Sequence, residues 1–150
     1  MTYMEYTAAK QKEVNDLPLF FAFSNAQLEK ALQERGATVQ DIYRLGDTGG
    51  FYLKKDAPLV RAVLGKKDEL PELMKDPDFA LQAFRYELDN HEYAINWEGD
   101  WEVCSIFCEG RCKYGEDKTY KDYFTEDGHS EWIPLFQQAR RAHMQAFDEL

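Results

Sequence analysis

The amino-acid sequence predicts an α+β fold: a single compact domain in which a small, mostly antiparallel sheet packs with several helices. Three observations predict it. Asp76 to Leu88 reads as a capped amphipathic helix. Two short apolar runs flank Asp47-Thr48-Gly49-Gly50 as strands flank a tight turn. Trp132, Phe136, Ala139, His143, Ala146 and Leu150 recur at alternating steps of four and three residues, the spacing of one helix face. The chain has 150 residues and no Gly/Ser/Pro-rich linker or internal repeat, so one core can form without disulfides or a structural metal.

Taken in order, Thr2 to Asn15 has helical composition, with Tyr3, Tyr6 and Val14 facing inward. The apolar run Leu19 to Phe23 after Pro18 fits a central strand covered on both faces. Ser24 and Gln27 spell a capping box, Leu28, Ala31 and Leu32 form the stripe of the next helix, and Gly36 ends it. IYRLG and FYLKK are the arms of the hairpin, whose glycines supply the positive φ of its turn. Asp56 caps a short helix carrying Leu59, Val60, Val63 and Leu64 and stopping near Gly65, and KKDELPELMKD is a second short, solvated one. In the following helix Asp76 caps, Pro77 takes the first position, and Phe79, Ala83, Phe84 and Leu88 face the core. Asn90 is the expected left-handed stop, and Tyr93, Ile95 and Trp97 the expected strand after it. WEVCSIF, residues 101–107, fits either an alternating strand or a helix capped by Asp100, and periodicity does not separate them.

Charge is unevenly placed. Residues 1–75 hold 11 Lys+Arg against 11 Asp+Glu, and residues 76–150 hold 7 against 17, so the net −10 lies wholly in the second half. Repulsion from phosphates disfavours direct nucleic-acid binding through that half, whereas a basic cleft on another protein would attract it. No apolar run is long enough to span a membrane, and MTYMEYTAAKQKEV lacks the basic start and apolar centre of a signal peptide. Cytoplasmic residence, with reduced thiols, is the expectation.

Few residues carry chemistry. Cys104, Cys108 and Cys112 would share a helix face and are soft metal donors, but the spacing is not a standard zinc motif and lacks a fourth ligand; small buried hydrophobes are the simpler role. His91 beside Glu87, Asp89 and Glu92 is the best acid–base candidate, yet a histidine at a helix end more often bonds backbone. A Cys104–His91 nucleophile pair is opposed by the acidic surroundings, which keep a thiol protonated. Gly49-Gly50 sits in no phosphate-binding motif. His143 on the apolar stripe is expected as a satisfied core or groove histidine. No catalytic residue and no cofactor is expected.

LPLFFAFSNAQLEKAL, LGDTGGFYLKKD and AFRYELDNHEYAI together resemble a family of small uncharacterised proteins from phages and mobile elements of gut bacteria, over roughly residues 1–97. Phe21 to Ser24, Gln27, Gly49, Gly50, Phe51, Phe84, Tyr86, Glu87, Leu88, Asn90, His91, Glu92 and Tyr93 carry the resemblance. It implies no catalytic residues, and some relatives of this type are similar to anti-CRISPR inhibitors that block a Cas nuclease. The leading expectation is a non-enzymatic interaction protein, an anti-defence inhibitor of a nucleic-acid-binding nuclease. Its charges would be Glu98, Asp100, Glu102, Glu116, Asp117, Asp122, Glu126 and Asp127, and its aromatic anchors Tyr114, Tyr120, Tyr123 and Trp132. The alternatives are a small metal-binding or Cys/His-dependent enzyme and a mobile-element accessory factor.

Overall fold

The computed structural model describes residues 1–97 and 99–150 and has the α+β architecture expected from the sequence. In chain order the elements are α1 (Tyr3–Asn15), β1 (Phe20–Phe21), α2 (Asn25–Arg35), β2 (Ile42–Leu45), β3 (Gly50–Leu53), α3 (Ala57–Leu64), α4 (Leu70–Leu73), α5 (Pro77–Asn90), α6 (Asp100–Phe107), α7 (Tyr120–Glu126) and α8 (Trp132–Asp148). They fall into two compact units, one of residues 1–7 and 68–150 and one of residues 8–67. Among the described residues no helix is long and apolar enough to cross a membrane.

The unit of residues 8–67 holds the sheet, antiparallel throughout, in the order β1-β3-β2. The expected central strand at Leu19 to Phe23 is instead a two-residue edge, with Phe21 54% and Phe23 77% exposed. β3 takes the centre, pairing with β1 on one side and, across the tight turn, with β2 on the other. That turn also explains why two separated motifs belong together. Gly49 has φ 78°, and a Cβ there would come within 2.3 Å of the Phe23 ring, so FAFS and GGF form one constellation. The Ala22 N–H donates to the Gly49 carbonyl at 3.0 Å. Ser24 caps α2 by accepting from the Gln27 N–H at 3.2 Å, while Gln27 Oε1 reaches past the cap to the Phe23 N–H at 2.8 Å. Gly36 closes the helix in the left-handed region. Leu17, Tyr52, Ala57 and Val60 form the small core of this unit. Val14, expected inward, is 43% exposed because α1 buries only Tyr3 and Tyr6.

The other unit is helical. α5 and α8 pack along their apolar faces, and Phe84 touches the rings of Phe107, Phe124, Trp132 and Phe136 at centroid distances of 5.0 to 6.0 Å. Tyr3 enters the same core from α1. The α8 stripe is buried from Trp132 through Ala139 and half-buried at His143. Ala146 and Leu150, expected on it, are exposed because the helix outruns its partner. WEVCSIF is helical, with Gly99 rather than Asp100 at the cap. Helix α6 ends at Phe107, since Glu109 and Gly110 have φ 52° and 75°. Cys112 therefore lies beyond the helix, and the three cysteines do not line one helical face.

Candidate functional site

Helix α5 forms where the sequence places it: Asp76 accepts from the Asp78 N–H at 3.0 Å, Pro77 takes the first position, and Phe79, Ala80, Ala83, Phe84 and Leu88 are buried. Its C-terminus departs from expectation. Asn90 stays helical, and the left-handed residue is Glu92, at φ 50°. The Glu92 N–H donates to the Asp89 carbonyl and the Tyr93 N–H to the Leu88 carbonyl, the paired bonds of a Schellman stop. The Ile95 and Asn96 N–H groups then turn back to the Glu92 carbonyl at 2.9 and 3.0 Å. The strand expected at Tyr93, Ile95 and Trp97 does not form, because these backbone donors are used locally and the following segment, residues 101–107, is helical and offers no strand to pair with.

The resulting turn is fastened by side chains from four directions. His91 places Nδ1 2.7 Å from Glu102 Oε1 and Nε2 3.1 Å from Glu87 Oε2, and the Tyr3 hydroxyl donates to Glu87 Oε1 at 2.8 Å. This accounts for Glu87, a buried carboxylate. A neutral ring donates through one nitrogen only, so both contacts become hydrogen bonds when a second proton is shared within the set. The Tyr93 hydroxyl donates to Asp100 and accepts from Arg140 Nε at 3.2 Å, and the second Asp100 oxygen accepts from the Tyr120 N–H at 2.7 Å. Burial and the bond to Asp100 push the Tyr93 phenol up to about 12. His143 accepts the Ala94 N–H on Nε2 at 3.0 Å, which leaves its proton on Nδ1, 2.6 Å from Asp89 Oδ1. Asn96 closes the set, donating to the His91 carbonyl at 2.8 Å and accepting from the Gly99 N–H at 3.2 Å.

This framework carries an exposed apolar tip. Ile95 is 59% exposed and Trp97 98% exposed, the barest large aromatic among the described residues. Nothing in the sequence marked Trp97 as different from Trp101 or Trp132, because the signal is tertiary: no element covers it. His143 and Arg140 were also missed as members of the site, since both come from a helix far along the chain.

The other candidates are scattered. Glu98 lies outside the described residues. Asp100 and Glu102 are fasteners of the turn. Tyr120 and Tyr123, expected at a surface, are buried, Tyr120 stacking on Phe136 at 4.8 Å. Trp132 is buried, and the Asp127 side chain is 1% exposed, 2.9 Å from Arg111 Nε. These four are interior because α7 and the first turn of α8 cover the α5 core, which corrects their assignment to a docking face. Tyr114 is exposed and meets Trp101 edge-on. Glu116, Asp117, Asp122 and Glu126 do face solvent; Asp122 caps Thr119 and Glu126 pairs with Lys118 at 3.0 Å. All three cysteines are buried, Cys112 donates to the Tyr123 carbonyl at 3.7 Å, and burial pushes each thiol up. Among the described residues no group of three or more His, Cys, Asp or Glu side chains is arranged to hold a metal. The polar contacts of His91 go to carboxylates, not to a thiol. Of the residues carrying the resemblance, Ser24 and Gln27 cap α2, and Gly49, Gly50 and Phe51 form the turn into the central strand beside β1. Tyr86 packs on Tyr3, and Glu87, Asn90, His91, Glu92 and Tyr93 build the turn.

Fold and site thus define a small α+β protein that displays an apolar tip on a tightly bonded turn. The chain belongs to a family of unknown function, DUF7659, whose model matches residues 2–104. That span contains the whole His91 cluster and the tip, while Arg140 and His143 lie beyond it. No curated protein and no solved structure matches the chain.

Proposed function

We propose that the protein is a non-enzymatic binding protein that engages a protein partner through the 91–97 turn, with Trp97 as the anchor. The observation that carries this is the contrast between a bare indole and the bonded backbone that holds it. Exposed tryptophan on a pre-ordered turn loses little conformational entropy on docking, and tryptophan is enriched among residues that dominate interface energies. The acidic second half supports a basic partner surface, such as the nucleic-acid cleft of a defence nuclease, and the resemblance to phage and mobile-element proteins supports an anti-defence role.

The test is a pull-down with tagged protein from a bacterial host lysate, comparing wild type, Trp97→Ala, and a variant neutralised at Glu116, Asp117, Asp122 and Glu126, each at low and raised salt. Trp97→Ala is expected to weaken capture of one specific partner by about 2 kcal/mol or more, roughly thirtyfold, with an unchanged melting temperature. Equal capture by Trp97→Ala would remove the anchor. Salt-insensitive capture unaffected by neutralisation would remove the electrostatic part and, with it, the basic cleft.

A further inference from the structure

We propose that the unit of residues 8–67 carries a phosphate-binding site for a single-stranded nucleic acid, in the cavity bounded by Arg35, Lys54 and Lys55. The proposal does not depend on the Trp97 turn. This unit holds 10 Lys+Arg against 7 Asp+Glu, opposite in sign to the chain as a whole. Among the described residues, carboxylates pair with Lys12 and Lys66 of this unit, whereas Arg35, Lys54 and Lys55 have no carboxylate within ion-pair distance. All three line one open cavity of about 310 Å³, with Leu53 and Gly36 among its walls. The single acid there, Asp41, is already used: its Oδ2 accepts the Thr38 N–H at 2.9 Å and lies 3.2 Å from the Thr38 hydroxyl.

Two of the cations are positioned without being neutralised. The Arg35 guanidinium lies 4.0 Å from the centre of the Phe20 ring and gives one N–H to the Ala31 carbonyl at 2.9 Å, leaving its other donors for a ligand. The Lys54 ammonium lies 5.2 Å from the centre of the Tyr43 ring. Aromatic contacts thus fix where the positive charge sits and leave it uncompensated, which suits an anion. A lone phosphate would use only the cavity. Arg61, 5.5 Å over the same Tyr43 ring, extends the positive surface past the cavity, which favours a chain of phosphates. The net charge of −10 opposes long-range attraction, so binding should be modest and steeply salt-dependent.

The test is fluorescence anisotropy of the full chain with labelled single-stranded DNA and RNA of roughly 12 nucleotides. With three phosphate contacts, log K should fall against log salt with a slope of about −2. Lys54→Gln/Lys55→Gln should cut the slope to about −0.7 and weaken low-salt binding at least tenfold. Lys30→Gln/Lys113→Gln, with the same charge change elsewhere, should leave both nearly as they were. All four lysines are exposed, and thermal melts verify that each variant folds. Absence of oligonucleotide binding at low salt, or an equal loss in the control pair, would overturn the proposal. Saturable binding of inorganic phosphate without oligonucleotide binding would overturn the nucleic-acid ligand in favour of a small free anion.

Discussion

Glu92 occupies a position that the backbone would give to glycine. A left-handed conformation costs a side-chain-bearing residue about 1–2 kcal/mol, against about 0.5–1 kcal/mol of extra unfolded-state freedom for glycine. Glu92→Gly should therefore raise the unfolding free energy by about 0.5–1 kcal/mol, measured by urea denaturation. A loss of stability would mean that the Glu92 side chain makes a contact worth more than the strain. Gly49 is the converse case, at φ 78° against the Phe23 ring, and its need for glycine was readable from the Asp47-Thr48-Gly49-Gly50 spelling. The left-handed residue at the end of α5 was not readable: Asn90 is the commoner stop by type. What moved the stop two residues on is the pair of bonds from Glu92 and Tyr93 back to Asp89 and Leu88, together with the pull of Glu102 and Glu87 on His91.

At the scale of elements, the turn after α5 is held by α6 and α8, and its stability should follow those contacts. His143→Ala removes the acceptor of the Ala94 N–H and the ring contact with Tyr93, so the Ala94 amide should exchange with solvent about tenfold faster, matching a local loss of about 1–2 kcal/mol. Amides in the middle of α5 should be unaffected by this change. His143→Gln, which can still present an acceptor, should restore part of the protection. Uniform acceleration across α5 and α8 would show that His143 supports the core rather than the turn. Alternation at Tyr93, Ile95 and Trp97 is a fair strand pattern, but a strand needs a neighbour, and the adjacent segment became α6. The two segments decide each other's state, which a pattern confined to either one does not contain.

For the whole molecule, the buried phenols and thiols link stability to alkaline pH. Burial raises Cys104, Cys108 and Cys112 above their ordinary 9.0 and Tyr3 and Tyr93 above 10.0. The folded state therefore holds these protons more tightly than the unfolded state. Their contribution is complete below about pH 9 and is lost as pH rises, the thiols acting first and Tyr93 between pH 10.0 and about 12. Denaturation midpoints should fall above pH 9, and Tyr93→Phe should flatten the part of the fall between pH 10.0 and about 12. A midpoint unchanged from pH 8 to 11 would show that these groups titrate alike in both states. The same burial predicts slow reaction of all three thiols with iodoacetamide in native protein and fast reaction in denaturant.

Local sequence suffices for the α+β class, the cap and core face of α5, both ends of α2, the hairpin and the apolar start of α8. Each rests on residues within a turn or two of one another, where spacing and φ preference act directly. That β1 is an edge, that Tyr120, Tyr123, Trp132 and the Asp127 side chain are interior, and that Trp97 is bare follow from the packed fold alone. It also brought His143 and Arg140 to the turn of His91. Exposure and long-range contact depend on which faces meet in three dimensions, and an acidic or aromatic residue looks the same in sequence whether it faces water or fastens a helix.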